Sequence, residues 1–559
     1  MRILASRMRC AAALVAVGLV AAGCGSGTDP ATEGLTDALG TTSDINPKPR
    51  DEVRDGGNLR LATTAMPDNW NTLSNDGNNG EIADLQRPMM PRAFHVDAAG
   101  KLSVNTDYFV DVALTNTAPQ QVTYTINPKA FWSDGNPITW EDIQSQANAL
   151  SGRDKRFLIA ITNGFEFVEK VERGADDRQA VLTFSQPYGE WRGQLAGNAS
   201  LFPKSVTRDP ESFNHSLVDT MGPTAGPFKI RSIDRGTSRI VLERDPKWWG
   251  EPAKLDTITY SVLDQVAWLG ALQNNELDLA RLSSIEDVKA ISGNPEIAIR
   301  RAPGNRWRHL TFNGAPGSIL ADPALRVAIS KAIDRQAIAA TTQMGMVENP
   351  KPLNNHVFLE GQEGYRDNSL GFDPAAAARE LDALGWKLDG EFRVKDGKRL
   401  VIRDVMYNNP LWVQLAQIIQ QNLAAVGVQL TIDTKPAIGF FPDVIQKGDF
   451  DVAQFIWQGD AFPMSSVRQT YYYDPADLQG NYGRIGSPEL NALIDRAVAE
   501  LDPGKAIELA NEIDRALFEE GFSLPLTQDP GTFGVRAEVA NMGSHGLASY
   551  DYTKIGFVK

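Results

Sequence analysis

Phe131-Trp132-Ser133-Asp134-Gly135-Asn136-Pro137-Ile138-Thr139-Trp140-Glu141-Asp142 is the stretch from which the architecture is best read. Ser133-Asp134-Gly135 is turn chemistry, because Asp bonds the backbone that follows it and Gly accepts a positive φ. Pro137 confines the residue before it to extended backbone. Thr139 with an acid three residues on is a capping-box variant, so a helix is expected from 140. Glu141 and Asp142 fall in that helix's first turn, where the helix dipole favours acids without any catalytic role. The polar residues of this stretch are therefore assigned to structure, not to a ligand.

Strands and helices alternate on both sides of it. The segment 121–126 places Val122, Tyr124 and Ile126 on one face, and 59–62, 181–184 and 239–242 are short β-like runs. Asp322-Pro323, Asp373-Pro374, Ser487-Pro488 and Asp502-Pro503 each set a capping side chain before a proline at the first helical position. Leu411, Leu415, Ile418, Ile419 and Leu423 recur at helical spacing; Gly427 ends that helix and 428–432 is β-like. With no repeat of fixed period, the class is α/β. A chain of 559 residues exceeds what one core usually holds, so at least two lobes are expected.

Hydrophobic residues make up 42% and the formal net charge is −15, which argues against nucleic acid and against electrostatic attachment to anionic lipid. His95, His215, His309, His356 and His545 are isolated, and no nucleophile elbow, phosphate loop or dinucleotide fingerprint occurs. No enzyme, metal site or cofactor is expected. The 2 cysteines, Cys10 and Cys24, leave the body of the chain without a disulfide.

Arg2, Arg7 and Arg9 precede an apolar run over 11–22, too short for a membrane span of ~20 residues, and the pattern reads as a secretory signal over 1–23. Ala21-Ala22-Gly23-Cys24 resembles the lipobox of bacterial lipoproteins, with Ala21 where a leucine is usual; the resemblance implies acylation of Cys24. The polar segment that follows, most clearly 43–55, reads as a linker holding a folded body off a membrane.

Several further segments, in order, resemble the large extracytoplasmic solute-binding proteins of the oligopeptide, dipeptide and nickel ABC importers. Phe131 to Asp142 is similar to that family's signature. Gly222-Pro223-Thr224-Ala225-Gly226-Pro227-Phe228, Arg244-Asp245-Pro246-Lys247-Trp248-Trp249-Gly250 and Asn275-Glu276-Leu277-Asp278 match its turns. Arg326, Ala328-Ile329 and Ala332-Ile333-Asp334-Arg335, then Phe372-Asp373-Pro374 and Gly448-Asp449-Phe450-Asp451, continue the likeness. The resemblance implies a two-lobe periplasmic-binding-protein-like fold of the large cluster, with an extra subdomain and a ligand cleft between the lobes. Its expected layout is a lipidated N-terminus and flexible linker over 24–55, then lobe one over 56–311 with the subdomain at about 106–220. Lobe two would occupy 312–525, with a return to lobe one over 526–559. The chain would cross near Phe312-Asn313 and return near Ser523-Leu524-Pro525-Leu526. It implies a monomer that captures a peptide or similar polar solute, closes by hinge bending and presents itself to an ABC permease. Nickel and haem stay open as cargo. So does a regulatory or scaffold lipoprotein of the same fold acting in cell-envelope metabolism.

Peptide-binding members carry a Trp and, three residues on, an Asp that pairs with the peptide's α-amino group; Trp457 and Asp460 keep that spacing, followed here by Ala461-Phe462-Pro463. Two readings stand for Asp460: a ligand carboxylate, or the cap of the next turn. Arg306 and Arg308 share one face of a strand and are candidates to fork onto a carboxylate, the alternative being ordinary surface arginines. Trp70 and Asn71 follow the first strand, where the family often lines its cleft, and a packed Trp is the plainer alternative. Tyr407, in a loop before a helix, is a further cleft candidate, and Tyr471-Tyr472-Tyr473 offers aromatic surface.

Overall fold

Residues 131–142 adopt the turn and helix start that their chemistry dictates. The Trp132 N–H donates to the Asn136 carbonyl at 2.8 Å, Gly135 takes φ 92°, and the Thr139 N–H donates to the Asp142 carboxylate at 2.8 Å as the helix Trp140–Ala149 begins. The other Asp142 oxygen accepts from the Lys204 N–H at 2.7 Å, so this acid is spent on structure. The structure, a computed structural model, describes residues 42–559 apart from 198, 437 and 438. The expected signal over 1–23 and Cys24 lie outside the described residues.

The fold is α/β with two lobes. Lobe one carries a sheet ordered Asn58–Thr63, Thr257–Val262, Arg239–Arg244, Phe228–Asp234, with the first pair parallel. A separate antiparallel sheet of Phe109–Thr117, Gln120–Ile126, Gln179–Phe184 and Val168–Arg173 forms within the stretch expected as the extra subdomain. Lobe two is built on a five-stranded sheet ordered Gln429–Lys435, Val401–Tyr407, Val452–Gln458, Arg306–Phe312, Ser523–Gln528. Its parallel first pair is joined by the helix Pro410–Ala425, whose Leu415, Ala416, Ile419 and Leu423 are buried in the core. The four Asp-Pro and Ser-Pro starts all cap: Asp322, Asp373, Ser487 and Asp502 each accept a backbone N–H of the following turn.

Two boundaries differ from the sequence expectation. Ile297–Arg301 pairs with Thr532–Arg536, while Arg306–Phe312 pairs with both Val452–Gln458 and Ser523–Gln528. The chain therefore crosses between the lobes at 302–305 and 529–531, and 306–311 belongs to lobe two's sheet. Cross-strand partners hundreds of residues away decide this, and they leave no local mark. The other correction concerns the linker: 42–55 is docked against the C-terminal chain. The Asp44 N–H donates to the Ser544 carbonyl at 2.7 Å, the Asp44 carboxylate accepts from the Arg301 N–H at 3.0 Å, and Val53, wholly buried, bridges Val558. A segment held by backbone and polar side chains around one buried valine has the composition of a linker.

Family-like residues elsewhere are structural. Arg326 donates to the carbonyls of Leu320, Ala321, Glu520 and Gly521, and Arg335 to those of Leu353 and Pro525. His356 is buried with Nδ1 2.8 Å from Asp514 and Nε2 3.0 Å from the Ser523 carbonyl.

Candidate functional site

A cavity of about 190 Å³ opens where the two lobes and the subdomain meet. Lobe one contributes Thr72, Leu73, Asn78 and Asn79; the subdomain contributes Ile161, Asn163 and Gly193; lobe two contributes Gln458, Asp460 and Ser465. Asp460 stands just past the end of the strand Val452–Gln458 and lines this cavity. One of its oxygens accepts the Phe462 N–H at 2.7 Å, and its backbone carbonyl accepts from Gln362 Nε2 at 2.9 Å. Its second oxygen has no protein partner and no cation pairs with it among the described residues. The turn-cap reading thus holds, in a side chain that also lines the cavity. Burial lifts this carboxyl to about 6 against the lowering effect of the Phe462 N–H.

A second acid sits close by. Glu190 follows the subdomain strand Gln179–Phe184, and its carboxylate reaches lobe two, accepting from the N–H groups of Met464 at 2.8 Å and Ser465 at 2.6 Å and from Ser465 Oγ at 2.7 Å. Burial raises its pKa to about 7 despite these donors, with the Asp460 charge adding to the effect. Nothing in the local sequence of Tyr188-Gly189-Glu190 advertises this role; it exists only because a distant helix start arrives there.

The strand Arg306–Phe312 brings the opposite charge. Arg306 lies opposite Gln458, which lines the Asp460 cavity. Neither the Arg306 nor the Arg308 guanidinium has a hydrogen-bond acceptor among the described residues, and Arg308 Nε is buried without a partner. Arg308 stands 5.7 Å from the centre of the Trp412 ring. Asp529, on the returning crossover, pairs with Arg281 at 3.2 Å. Its carboxyl is held low because Arg281, Arg308 and Arg306 together outweigh its burial. Burial, reinforced by the neighbouring arginine charge, lowers the pKa of Arg306, and burial also lowers that of Arg308. Three guanidiniums thus surround one carboxylate, and only that of Arg281 pairs with it. Tyr407 belongs to this group: burial pushes its phenol up to about 12 against the pull of Arg306, and its ring lies 4.2 Å from that of Phe440.

Trp457 points to the opposite face of its strand from Gln458. It is half-buried among Phe455, His309 and Tyr482, the last stacked at 5.9 Å with a 3° interplanar angle. Trp70 and Asn71 do not reach the cavity, which corrects their assignment as cleft residues. Trp70 is wholly buried in the core, and Asn71, also wholly buried, donates to the Phe213 carbonyl at 2.7 Å and accepts from the Leu73 N–H at 3.1 Å. Apolar area drives the indole inward, and only the next two residues, Thr72 and Leu73, line the cavity. Tyr471 is likewise buried, its hydroxyl on the His356 carbonyl at 3.3 Å, so the tyrosine triplet is not a continuous exposed surface. Among the described residues no cluster of His, Cys, Asp and Glu is placed to hold a metal, and no helix is long and apolar enough to cross a membrane.

Residues 114–478 match the family model described as bacterial extracellular solute-binding proteins, family 5, middle. The chain belongs to this family. It is 53% identical over 549 residues to the oligopeptide-binding protein OppA of Mycobacterium tuberculosis, a match covering 97% of this chain and 92% of that one. Among solved structures, the periplasmic EDTA-binding protein EppA is similar with a TM-score of 0.85 at 26% identity, covering 93% of this chain and 99% of that one. The oligopeptide-binding protein AppA of Bacillus subtilis, solved with a nonapeptide, shares the fold with a TM-score of 0.76 at 16% identity, covering 91% of this chain and 100% of that one. The two-lobe fold is that of this family of extracellular solute-binding proteins.

Proposed function

We propose that this protein captures oligopeptides outside the cytoplasmic membrane, held there by acyl chains on Cys24, and delivers them to an ABC import permease. The observation that carries the ligand class is the pairing of opposite charges around one cleft. Asp460 lines the cavity with one carboxylate oxygen free beside a second acid, while Arg306, opposite the cavity-lining Gln458, and Arg308, two residues further along the same strand, lack acceptors among the described residues. A peptide brings an ammonium and a carboxylate, each needing a desolvated partner of opposite sign. The 53% identity to an oligopeptide-binding protein supports the same class. In this reading Asp460 anchors the amino terminus, the arginines take the carboxyl terminus or an acidic side chain, and Tyr407 and Trp457 belong to the apolar surround. Native mass spectrometry of the purified protein tests it. Co-purified masses should resolve into peptides; a single non-peptide mass, metal chelate or haem would replace the reading.

A further inference from the structure

The lobe-two helix Pro463–Tyr471 starts without a cap of its own. Its N-cap position is Phe462, whose side chain accepts nothing, and Pro463 occupies the first turn. The N–H groups of Met464 and Ser465 would be orphans at that end. They are taken instead by Glu190, a residue of the subdomain: Oε1 accepts the Met464 N–H, and Oε2 accepts both the Ser465 N–H and Ser465 Oγ. Three neighbouring contacts repeat the crossing. The Tyr188 hydroxyl is 2.7 Å from Ser465 Oγ. The Gly189 N–H donates to the Val498 carbonyl at 2.8 Å, and a Cβ at Gly189 would collide with the Glu500 carbonyl. Phe462 lies on Gly193, 3.1 Å from where a Cβ would stand. Ser465 and Phe462 line the same cavity as Asp460.

We infer that 188–197 is a latch on the Asp460 end of the cleft, with Glu190 as a positioning residue that caps a lobe-two helix only when the lobes are closed. Each wall is built on its own sheet: one follows the subdomain strand Gln179–Phe184, the other the lobe-two strand Val452–Gln458. The contact therefore adds little to either fold and acts on the closing equilibrium. Opening would expose the carboxylate and both N–H groups to water together, so the latch releases as a unit. A closing contact that forms beside the ligand carboxylate slows escape without touching the ligand, which places its effect in the off-rate.

The inference rests on the binding-protein reading, and its test separates the two. Glu190→Ala removes the cap, and Gly189→Val blocks the approach to Glu500. Each is compared with wild type by release of penta-alanine, by amide hydrogen exchange at Met464 and Ser465 without ligand, and by ligand-free melting temperature. The expected result is release about tenfold faster and faster exchange at both amides, with the melting temperature unchanged. Glu190→Gln, which keeps one acceptor oxygen, should fall between. Unchanged exchange in both variants would overturn the latch. A melting temperature that drops in both would also overturn it, because the contact would then hold the fold together. A wild-type protein that takes no penta-alanine would count against the peptide reading and leave the exchange result to decide the latch.

Discussion

Replacing Asp460 with Asn changes one charge and little else. The amide oxygen can still accept the Phe462 N–H that Asp460 now holds at 2.7 Å, so the turn into the next helix survives. The loss falls on the partner of the free oxygen. For a desolvated ion pair, removing one charge costs roughly 2–5 kcal/mol, much of it from the ion left buried alone. Asp460 is only partly shielded from solvent, which favours the low end. About 2–3 kcal/mol corresponds to roughly 30- to 150-fold weaker binding. The carboxyl is lifted by burial to about 6 in the free protein, and an ammonium ligand needs the ionised form. Wild-type affinity should therefore be flat above pH 7 and fall up to tenfold per unit below about pH 6 as protons compete, while the Asn variant loses that slope. Titration calorimetry with penta-alanine and its N-acetylated form, from pH 5 to 8, reads both effects. Acetylation should cost wild type most of the same factor and the variant almost nothing. An Asp460→Asn protein with wild-type affinity and an unchanged pH profile would refute the amine anchor.

Arg306→Met and Arg308→Met should each weaken penta-alanine about tenfold or more, and C-terminal amidation should remove that difference, read by the same calorimetry. Cys24→Ser should move the protein from the membrane pellet to the soluble fraction on cell fractionation; persistence in the pellet would place the anchor elsewhere. Asp404 is wholly buried with one oxygen on Gln454 Nε2 and the other unpartnered, and burial raises its carboxyl to about 8. Its folded pKa exceeds its unfolded one, so the neutral form is preferred in the fold, and stability from this group is present below the ordinary carboxylate range and lost as pH rises towards 8. Asp404→Asn should accordingly raise the melting temperature by a few degrees at pH 8 and scarcely change it at pH 4, measured by scanning calorimetry.

Much of the molecule was legible in the chain itself. Turn and capping chemistry are local, so Ser133 to Asp142, the four Asp-Pro and Ser-Pro helix starts and the helix Pro410–Ala425 fold as their residues dictate. The order of motifs identified a two-lobe binding protein, and of the pair picked out by the spacing Trp457 to Asp460, Asp460 lines the cavity and Trp457 does not. Everything that depends on which distant segments meet was decided only by tertiary structure. Trp70 and Asn71 carry cleft-like chemistry but are drawn into the core. The crossover sits at 302–305 because the strand from Arg306 pairs with Val452–Gln458. Residues 42–55 read as a linker yet are fastened to the C-terminal chain, with Arg50 donating to the Thr553 carbonyl 503 residues away. Glu190 is an ordinary acid in sequence. It becomes the cap of a helix 274 residues further on because hydrogen-bond donors left bare at one lobe's surface are met by a carboxylate from another, and no local pattern records that meeting.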